Sequence, residues 1–292
     1  TTITGINTKD KIIFDESNLL FNKNTMIPKK IHYFWFGKGE KSQLTKFCIE
    51  SWKKYLPDFE IIEWNEDNFD YTQNTFAREA YEQNKWAFVS DYARAKVLYE
   101  EGGFYMDTDM ELKNSLGDFI DYKAICGFEI KKIPFSAFWA VEAKHMLAKD
   151  ILEYYENMGG LDTTPNTKVF SKLLVEKYGA DPLRDELQEL KHDVVLLPST
   201  FFSLDLPTNY VTHHFSGSWH NSWTEENNTY KELVNMYGVL HLLVQQKDSK
   251  RKIKDVIYNQ ELFSIDKILD QFPTQYIAQY IVKKVIKKIV GK

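Results

Sequence analysis

The sequence predicts an α/β fold in which a mixed, mainly parallel sheet is flanked by helices and followed by a C-terminal helical appendage. Three observations predict it. Short β-branched or aromatic runs alternate with helix-period segments to about residue 245, glycine and proline residues punctuate this alternation, and one sharp change in composition follows at residues 247–254. Strands that alternate with helices are typical of parallel βαβ units.

The first predicted elements form a strand–helix–strand series. Residues 30–36 (KIHYFWF) are a β-branched and aromatic run closed by Gly37, which predicts a buried strand. Apolar residues recur at helical spacing over 44–55, and this pattern ends before Pro57. Residues 59–64 (FEIIEW) then predict a second strand, which we expect to run parallel to the first.

The later elements continue the alternation. Helices are predicted over 76–84 and 90–101. The second ends at Gly102-Gly103, which is typical of a helix C-terminus closed by a residue in the left-handed conformation. A short strand over 104–106 follows directly. The remaining predicted elements are strands over 122–129 and 194–197 and helices over 145–158 and 168–178.

Composition and charge limit the class of protein. The chain has 292 residues, 43% hydrophobic and 27% charged, as expected of a folded protein with a sizeable core. A net charge of −5 argues against nucleic acid as a partner, because such binding depends on neutralising phosphates. Residues 247–292 carry 11 Lys/Arg against 5 Asp/Glu, which leaves −11 on the rest of the chain. We therefore expect three segments: an N-terminal extension (1–25) before a natural start at Met26, an α/β domain (26–245) and a basic, partly amphipathic helical appendage (246–292).

Two further features bear on location. Cys48 and Cys126 stand in apolar or helical surroundings without metal-ligand spacing, which suits buried thiols in a reducing cytosol. Residues 274–292 alternate branched apolar residues, one every four positions, with lysines, and so predict a basic amphipathic helix. This helix either packs on the rest of the protein or attaches it to an anionic membrane surface.

The sharpest motif is residues 102–109 (GGFYMDTD), in which a glycine turn and a short apolar strand lead to Asp107 and Asp109. Residues two apart on an extended strand point the same way, so both carboxylates can converge on one hard cation. Ligands of open α/β sheets bind at the carboxyl ends of strands, where both residues fall. The motif predicts a metal–diphosphate site, and the competing interpretation of an isolated Asp-x-Asp is a solvated loop.

Two other segments offer side chains to the same site. Asp91 and Arg94 share one face of a helix that we expect to begin at Ser90, and they form either a surface ion pair or a grip for sugar hydroxyls and phosphate oxygens. His213 and His214 are either structural histidines or a source of a metal ligand.

Four blocks of the chain resemble, in order, the bacterial glycosyltransferase family 32. They are residues 27–37 (IPKKIHYFWFG), 51–65 (SWKKYLPDFEIIEWN), 87–111 (AFVSDYARAKVLYEEGGFYMDTDME) and 213–219 (HHFSGSW). The resemblance implies a Rossmann-like GT-A fold, with residues 26–245 as its catalytic domain. It also implies a nucleotide-sugar donor, UDP-linked by preference, Mn²⁺ or Mg²⁺ as cofactor, and retention of the anomeric configuration.

The resemblance also implies roles for individual residues. Asp107, Asp109 and His214 correspond to the metal ligands, Trp35 to the aromatic residue that stacks on the base, Asp91, Arg94 and Tyr105 to the donor-sugar pocket, and Ser218 and Trp219 to the closing loop. Glu129 and Asn166 are the candidates for a group that supports the sugar from its rear face. Phe138 and Trp139 depart from the small residue or asparagine that the family often carries there, so the acceptor is not inferred from this region.

The expected function is therefore a retaining, metal-dependent hexosyltransferase of capsular or other surface polysaccharide synthesis. Its acceptor would be a glycan or a lipid-linked oligosaccharide, met in the cytoplasm at the inner face of the cell membrane. Two alternatives stay open. One is a non-catalytic sugar-binding or membrane-associated scaffold. The other is a phosphatase of the haloacid dehalogenase type. Such phosphatases carry threonine two residues after the second aspartate, at the position where this chain has Glu111.

Overall fold

The computed structural model describes residues 27–130, 132–135, 137–205 and 209–216. The strands among them are β1 (Lys30–Phe34), β2 (Glu60–Trp64), β3 (Gly103–Met106), β4 (Met110–Leu112), β5 (Ala124–Gly127), β6 (Phe138–Val141), β7 (Gln188–Glu189), β8 (Val194–Leu197) and β9 (Val211–His213). The helices are α1 (Gln43–Tyr55), α2 (Thr75–Glu82), α3 (Trp86–Glu101), α4 (Met146–Glu156), α5 (Asn166–Leu173) and α6 (Ser199–Phe202). The extension 1–25 and the appendage 246–292, with its segment 274–292, lie outside the described residues and stay predictions.

Seven strands form one sheet in the order β2-β1-β3-β6-β5-β8-β7, and β4 pairs with β9 in a separate ribbon. β1 is parallel to β2 and β3, and β5 is parallel to β8. β6 and β7 run antiparallel to their neighbours. Five of the seven strands thus share a direction, so the predicted mixed, mainly parallel sheet and its parallel β1–α1–β2 start are confirmed.

Helix α1 anchors the segment that follows the Asp-x-Asp motif. Its N-terminus is capped by Ser42, whose side chain accepts a hydrogen bond from the backbone N–H of Thr45. On its inner face the fully buried Trp52 donates its indole N–H to the carbonyl of Met110 at 2.7 Å. This hydrogen bond from Trp52 to the first residue of β4 fixes the path of the backbone after the two aspartates.

Helix α3 begins four residues earlier than predicted, at Trp86 rather than at Ser90. Ser90 is not the N-cap, because its hydroxyl donates back to the carbonyl of Trp86 at 3.1 Å inside the helix. The apolar run before Ser90 extends the helix. This helix packs against α2 and α4, and most of its residues are buried, including Asp91 and Arg94.

The glycine pair connects α3 to β3 without an intervening loop. Gly102 and Gly103 have φ of +67° and +105°, a region that suits glycine, and a Cβ on Gly102 would lie 2.6 Å from the backbone nitrogen of Ala143. The predicted break at this pair is confirmed. It places the buried face of α3 close to the carboxyl end of β3.

Other parts of the fold also differ from the sequence prediction, and the short elements β4, β7, β9 and α6 were not predicted. β6, a fully buried antiparallel strand over Phe138–Val141, was not predicted, because this segment was judged only as a departure from a family pattern. The helix predicted over 168–178 begins at Asn166 and continues as a π-helical turn over Leu174–Tyr178. Both cysteines are buried and free, as predicted. No helix in the described part of the chain is long and apolar enough to span a membrane.

Candidate functional site

The two aspartates lie in the turn between β3 and β4, not on an extended strand as predicted. The backbone N–H of Asp107 donates to the carbonyl of Ala137, and the N–H of Met110 closes the turn on the carbonyl of Asp107, both at 3.1 Å. The two carboxylates still converge, since they offer ligand atoms that lie within 4.8 Å of each other. The turn follows the carboxyl end of β3, the end at which ligands of α/β sheets bind.

A third side chain joins the two carboxylates. Asp107, Asp109 and His213 each offer a ligand atom, and these atoms lie within 4.8 Å of one another. His213 reaches the turn because β9 is antiparallel to β4 and pairs it with Met110. Its Nε2 lies 3.5 Å from Asp109 Oδ1, and its Nδ1 is buried with no hydrogen-bond partner among the described residues.

The metal ligand that we predicted, His214, is not part of this cluster. Its Nε2 lies 3.0 Å from Glu111 Oε2, so the imidazole is paired with a different carboxylate. Successive side chains of an extended segment point to opposite faces, so only one of two adjacent histidines can face the aspartates. The structure therefore replaces His214 by His213 as the candidate ligand.

Asp109 is held in its charged form. Burial alone would raise the pKa of this carboxyl, but the neighbouring His213 and two hydrogen bonds from Ser216 outweigh burial and hold the pKa well below its ordinary value. Those bonds come from the backbone N–H and the hydroxyl of Ser216, which lie 2.7 and 2.8 Å from Asp109 Oδ2. Burial lowers the pKa of His213, but Asp109, together with the charges of Glu129 and Asp107, outweighs burial, so the pKa is raised. The cluster thus keeps an anionic oxygen ligand in a buried position.

Arg94 connects α3 to the Asp-x-Asp turn. Its Nη2 lies 2.6 Å from Asp91 Oδ1, and its Nη1 lies 3.3 Å from Asp107 Oδ1. The guanidinium carbon lies 4.2 Å from the centre of the Tyr105 ring, and the Tyr105 hydroxyl donates to Asp107. Asp91, Arg94 and Tyr105 therefore form one buried network with the motif, and the surface ion pair considered from the sequence is excluded.

Asn166 and Asp91 meet across two helices. The Asn166 amide, at the start of α5, donates to Asp91 Oδ1 at 2.7 Å, the same oxygen that pairs with Arg94. Burial raises the pKa of Asp91 to about 6, while Arg94 opposes that change. Asn166 thus joins the network through its hydrogen bond to Asp91, which helps to fix the position of that carboxylate.

The other predicted residues are less closely connected. Glu129 is buried after β5, and its charge contributes to the raised pKa of His213. Trp35 follows β1 and donates its indole N–H to the carbonyl of Gly39 at 2.7 Å. Lys41 Nζ lies 5.4 Å from the centre of the Trp35 ring. Because β1 and β3 are parallel, Trp35 and Asp107 follow the same edge of the sheet. Ser218 and Trp219 lie outside the described residues.

Sequence reasoning missed two residues of the site, Ser216 and Glu111. Ser216 caps Asp109 and Glu111 pairs with His214. Both stand inside the blocks already singled out, at positions two or three residues from a candidate ligand. Only the pairing of β4 with β9, which sequence spacing does not reveal, shows what they contact.

Part of the chain is similar in sequence to known glycosyltransferases. Residues 42–126 match the family profile described as the glycosyltransferase sugar-binding region containing a DXD motif. An uncharacterized glycosyltransferase of Acanthamoeba polyphaga mimivirus is 34% identical over an alignment of 102 residues, with coverage of 32% of this chain and 40% of that protein. The described network of Asp91, Arg94, Tyr105, Asp107 and Asp109 falls inside the matched region, whereas His213 lies beyond it.

Solved structures with some likeness were also found. The PaToxG glycosyltransferase has a TM-score of 0.41 at 20% identity and covers 52% of this chain and 70% of its own. A glycosyltransferase involved in glycosylation of the major capsid of PBCV-1 has a TM-score of 0.38 at 11% identity, with coverage of 69% and 98%. The galactosyltransferase LgtC, solved with donor and acceptor sugar analogs, has a TM-score of 0.36 at 12% identity, with coverage of 70% and 96%.

The predicted Asp-x-Asp sugar-binding region of a glycosyltransferase is thus supported by the family match and by the mimivirus relative. That relative is viral, so the narrower family 32 and the bacterial origin stay predictions.

Proposed function

We propose that this protein is a divalent-metal-dependent glycosyltransferase of the GT-A type that moves a hexose from a nucleotide sugar, UDP-linked by preference. The observation that carries the proposal is the cluster of Asp107, Asp109 and His213 beside a buried arginine. A cation site next to a fixed guanidinium suits a bound diphosphate better than it suits a purely structural role.

The residues present fit a bound divalent cation. Two carboxylates and one imidazole suit Mn²⁺, and Mg²⁺ less well because it prefers oxygen ligands. The ligand atoms of the three residues lie within 4.8 Å of one another, and Asp109 is held in its charged form, as the donor set of a cation requires. When bound, the cation would neutralise charge on the donor diphosphate.

The chain's own residues account for the other steps of the proposed reaction. Breaking the bond from the anomeric carbon to the diphosphate oxygen leaves negative charge on the diphosphate. Arg94, whose guanidinium lies beside Asp107, would stabilise that charge. Asp91, held by Arg94 and Asn166, supplies a carboxylate to the sugar hydroxyls. In a retaining reaction, which the family resemblance supports, the acceptor attacks from the leaving-group face, and a phosphate oxygen takes its proton.

The contacts of Asn166 support a role different from the predicted one. The Asn166 amide is engaged with Asp91, so we assign Asn166 to positioning that carboxylate. Glu129 then stays as the candidate for supporting the sugar from behind. Trp35, Ser218 and Trp219 keep their proposed roles at the base and in the closing loop.

The proposal also covers the acceptor and the cellular location. We infer a glycan or lipid-linked oligosaccharide of surface polysaccharide synthesis, met at the cytoplasmic face of the membrane through residues 274–292. Their basic and apolar pattern supports this assignment. Co-sedimentation with anionic liposomes should distinguish the full chain from one that ends near Asp270, and equal sedimentation would contradict membrane attachment.

The activity itself is tested by donor hydrolysis. The full chain is incubated with a panel of UDP- and GDP-sugars with and without Mn²⁺, and release of the nucleoside diphosphate is measured. We expect Mn²⁺-dependent release from at least one donor, and a loss of at least a hundredfold in Asp109→Asn. The matched control is Asp118→Asn, outside the site. If no nucleotide sugar is bound or hydrolysed, or if Asp109→Asn is as active as the parent, the proposal fails.

A further inference from the structure

The ribbon of β4 and β9 holds the Asp-x-Asp turn and His213 side by side. Its register pairs Met110 with His213, Glu111 with Thr212 and Leu112 with Val211. A two-stranded ribbon of three residue pairs has little stability of its own. Side-chain contacts across the ribbon therefore have a large effect on how firmly His213 is held beside Asp109.

Glu111 makes such contacts with both of its carboxylate oxygens. Oε2 lies 3.0 Å from His214 Nε2, and Oε1 lies 3.0 Å from Lys113 Nζ. Lys113 lies two residues further along the chain, and its Nζ is also 3.8 Å from Asp205. The Glu111 side chain is only 14% exposed, so water screens these pairs less than it screens pairs on the open surface.

The partner of Glu111 is the residue that directly follows the candidate metal ligand. The backbone N–H of His214 donates to the carbonyl of Asp109 at 3.0 Å, so His214 is fixed by its backbone as well as by its imidazole. His213 is thereby held between Thr212, which pairs with Glu111 in the ribbon, and His214, which binds the Glu111 side chain. Without the Glu111 carboxylate, the His214 imidazole loses its hydrogen-bond partner, and His213 is then held less firmly on that side.

We propose that Glu111 is a positioning residue for the metal site, which holds His213 against Asp107 and Asp109 through its hydrogen bond with His214. The inference rests on the proposed function, since His213 is a metal ligand only there. It also gives the second histidine of the pair a role: His213 faces the cation and His214 fixes the strand.

The test measures Mn²⁺ affinity and local order, not turnover. Free Mn²⁺ is titrated by electron paramagnetic resonance against the full chain without nucleotide, for the parent, Glu111→Ala, Glu111→Gln and the control Glu189→Gln on β7. Removing an outer residue that orients a ligand commonly weakens metal affinity ten- to a hundredfold, so we expect about a tenfold loss in Glu111→Ala. Glu111→Gln should recover part of it, because an amide can still accept a hydrogen bond from His214. Glu189→Gln should match the parent.

Hydrogen exchange of the peptide that covers 209–216, measured without metal, gives the second readout. It should be faster in Glu111→Ala than in the parent. If Glu111→Ala is misfolded by circular dichroism, Lys113→Met replaces it, with a smaller loss of affinity expected in the same direction.

The two proposals fail in different ways. If the parent binds Mn²⁺ and the folded Glu111 or Lys113 variant binds it equally well, the positioning role is overturned while the proposed function stands. Unchanged exchange over 209–216 in the variant likewise overturns the positioning role. If the parent itself binds no Mn²⁺, the metal-dependent function is overturned, and the positioning role with it.

Discussion

Acid should destabilise this protein through His32, a fully buried histidine on β1. Its Nδ1 accepts a hydrogen bond from the indole N–H of Trp64 at 3.0 Å, so the other nitrogen, Nε2, carries the proton and donates to the carbonyl of Gly102 at 3.0 Å. Protonating Nδ1 would break the bond from Trp64 and place a charge in the core. Burial is the main cause that lowers the pKa of His32 to about 4.

The size of the effect follows from proton linkage. Between the ordinary pKa of 6.5 and the folded value of about 4, the unfolded chain binds more protons than the folded chain, so the free energy of unfolding falls as the pH falls. The contribution of His32 is fully present above pH 6.5. About 2 kcal/mol of it is lost by pH 5, and about 3 kcal/mol by pH 4.

The assay is urea unfolding followed by tryptophan fluorescence at several values between pH 4.5 and pH 7.5. His32→Gln lowers stability at every pH, but it should reduce the pH dependence of the unfolding free energy by about 2 kcal/mol between pH 7.5 and pH 5. The control is His192→Asn, which changes an exposed histidine and should preserve the parent profile. The same pH slope in the His32 variant and in the parent would refute the assignment of His32 as a buried neutral histidine.

Three further predictions concern the turn, the arginine and the base site. Gly103→Ala should lower the unfolding free energy by about 1–3 kcal/mol in urea titrations, because φ is +105° and the new Cβ would lie 2.9 Å from His32 Nε2. The control is Gly39→Ala, whose new Cβ would have nothing within 4 Å, and equal effects of the two variants would contradict the steric argument. Arg94→Lys should weaken UDP binding at least tenfold by calorimetry, since lysine cannot span Asp91 and Asp107 together, and parent-like affinity would contradict a role at the diphosphate. Trp35→Ala should weaken UDP binding by about 1–3 kcal/mol while leaving Mn²⁺ affinity unchanged, and unaltered UDP affinity would exclude base stacking.

Much of the fold could be predicted because local patterns and tertiary packing agree. The strand over 194–197 was predicted at its observed bounds, since four apolar residues before a proline have few alternatives. The Gly102-Gly103 break was predicted because positive φ is a local property of glycine. β6 was missed because its aromatic run was judged against a family pattern and not by its own composition.

The candidate site was predicted less completely, because it depends on pairing between distant segments. Asp91, Arg94 and Asp107 were found from spacing within a helix and after a strand, and Tyr105 was found from the family resemblance. The structure brings all four together. The choice between His213 and His214 depends on the register of β9 against β4, which spacing within one block does not determine. Ser216 and Glu111 were missed for the same reason.

The central claim is that Asp107, Asp109 and His213 bind the cation of a glycosyltransferase. Its most direct test is Mn²⁺-dependent donor hydrolysis by His213→Ala and His214→Ala, compared side by side at saturating donor over a range of Mn²⁺ concentrations. We predict that His213→Ala loses at least a hundredfold in activity at any Mn²⁺ concentration. His214→Ala should lose about tenfold, restored by added Mn²⁺, as expected of an outer residue. Full activity in His213→Ala together with inactivity of His214→Ala would contradict the account.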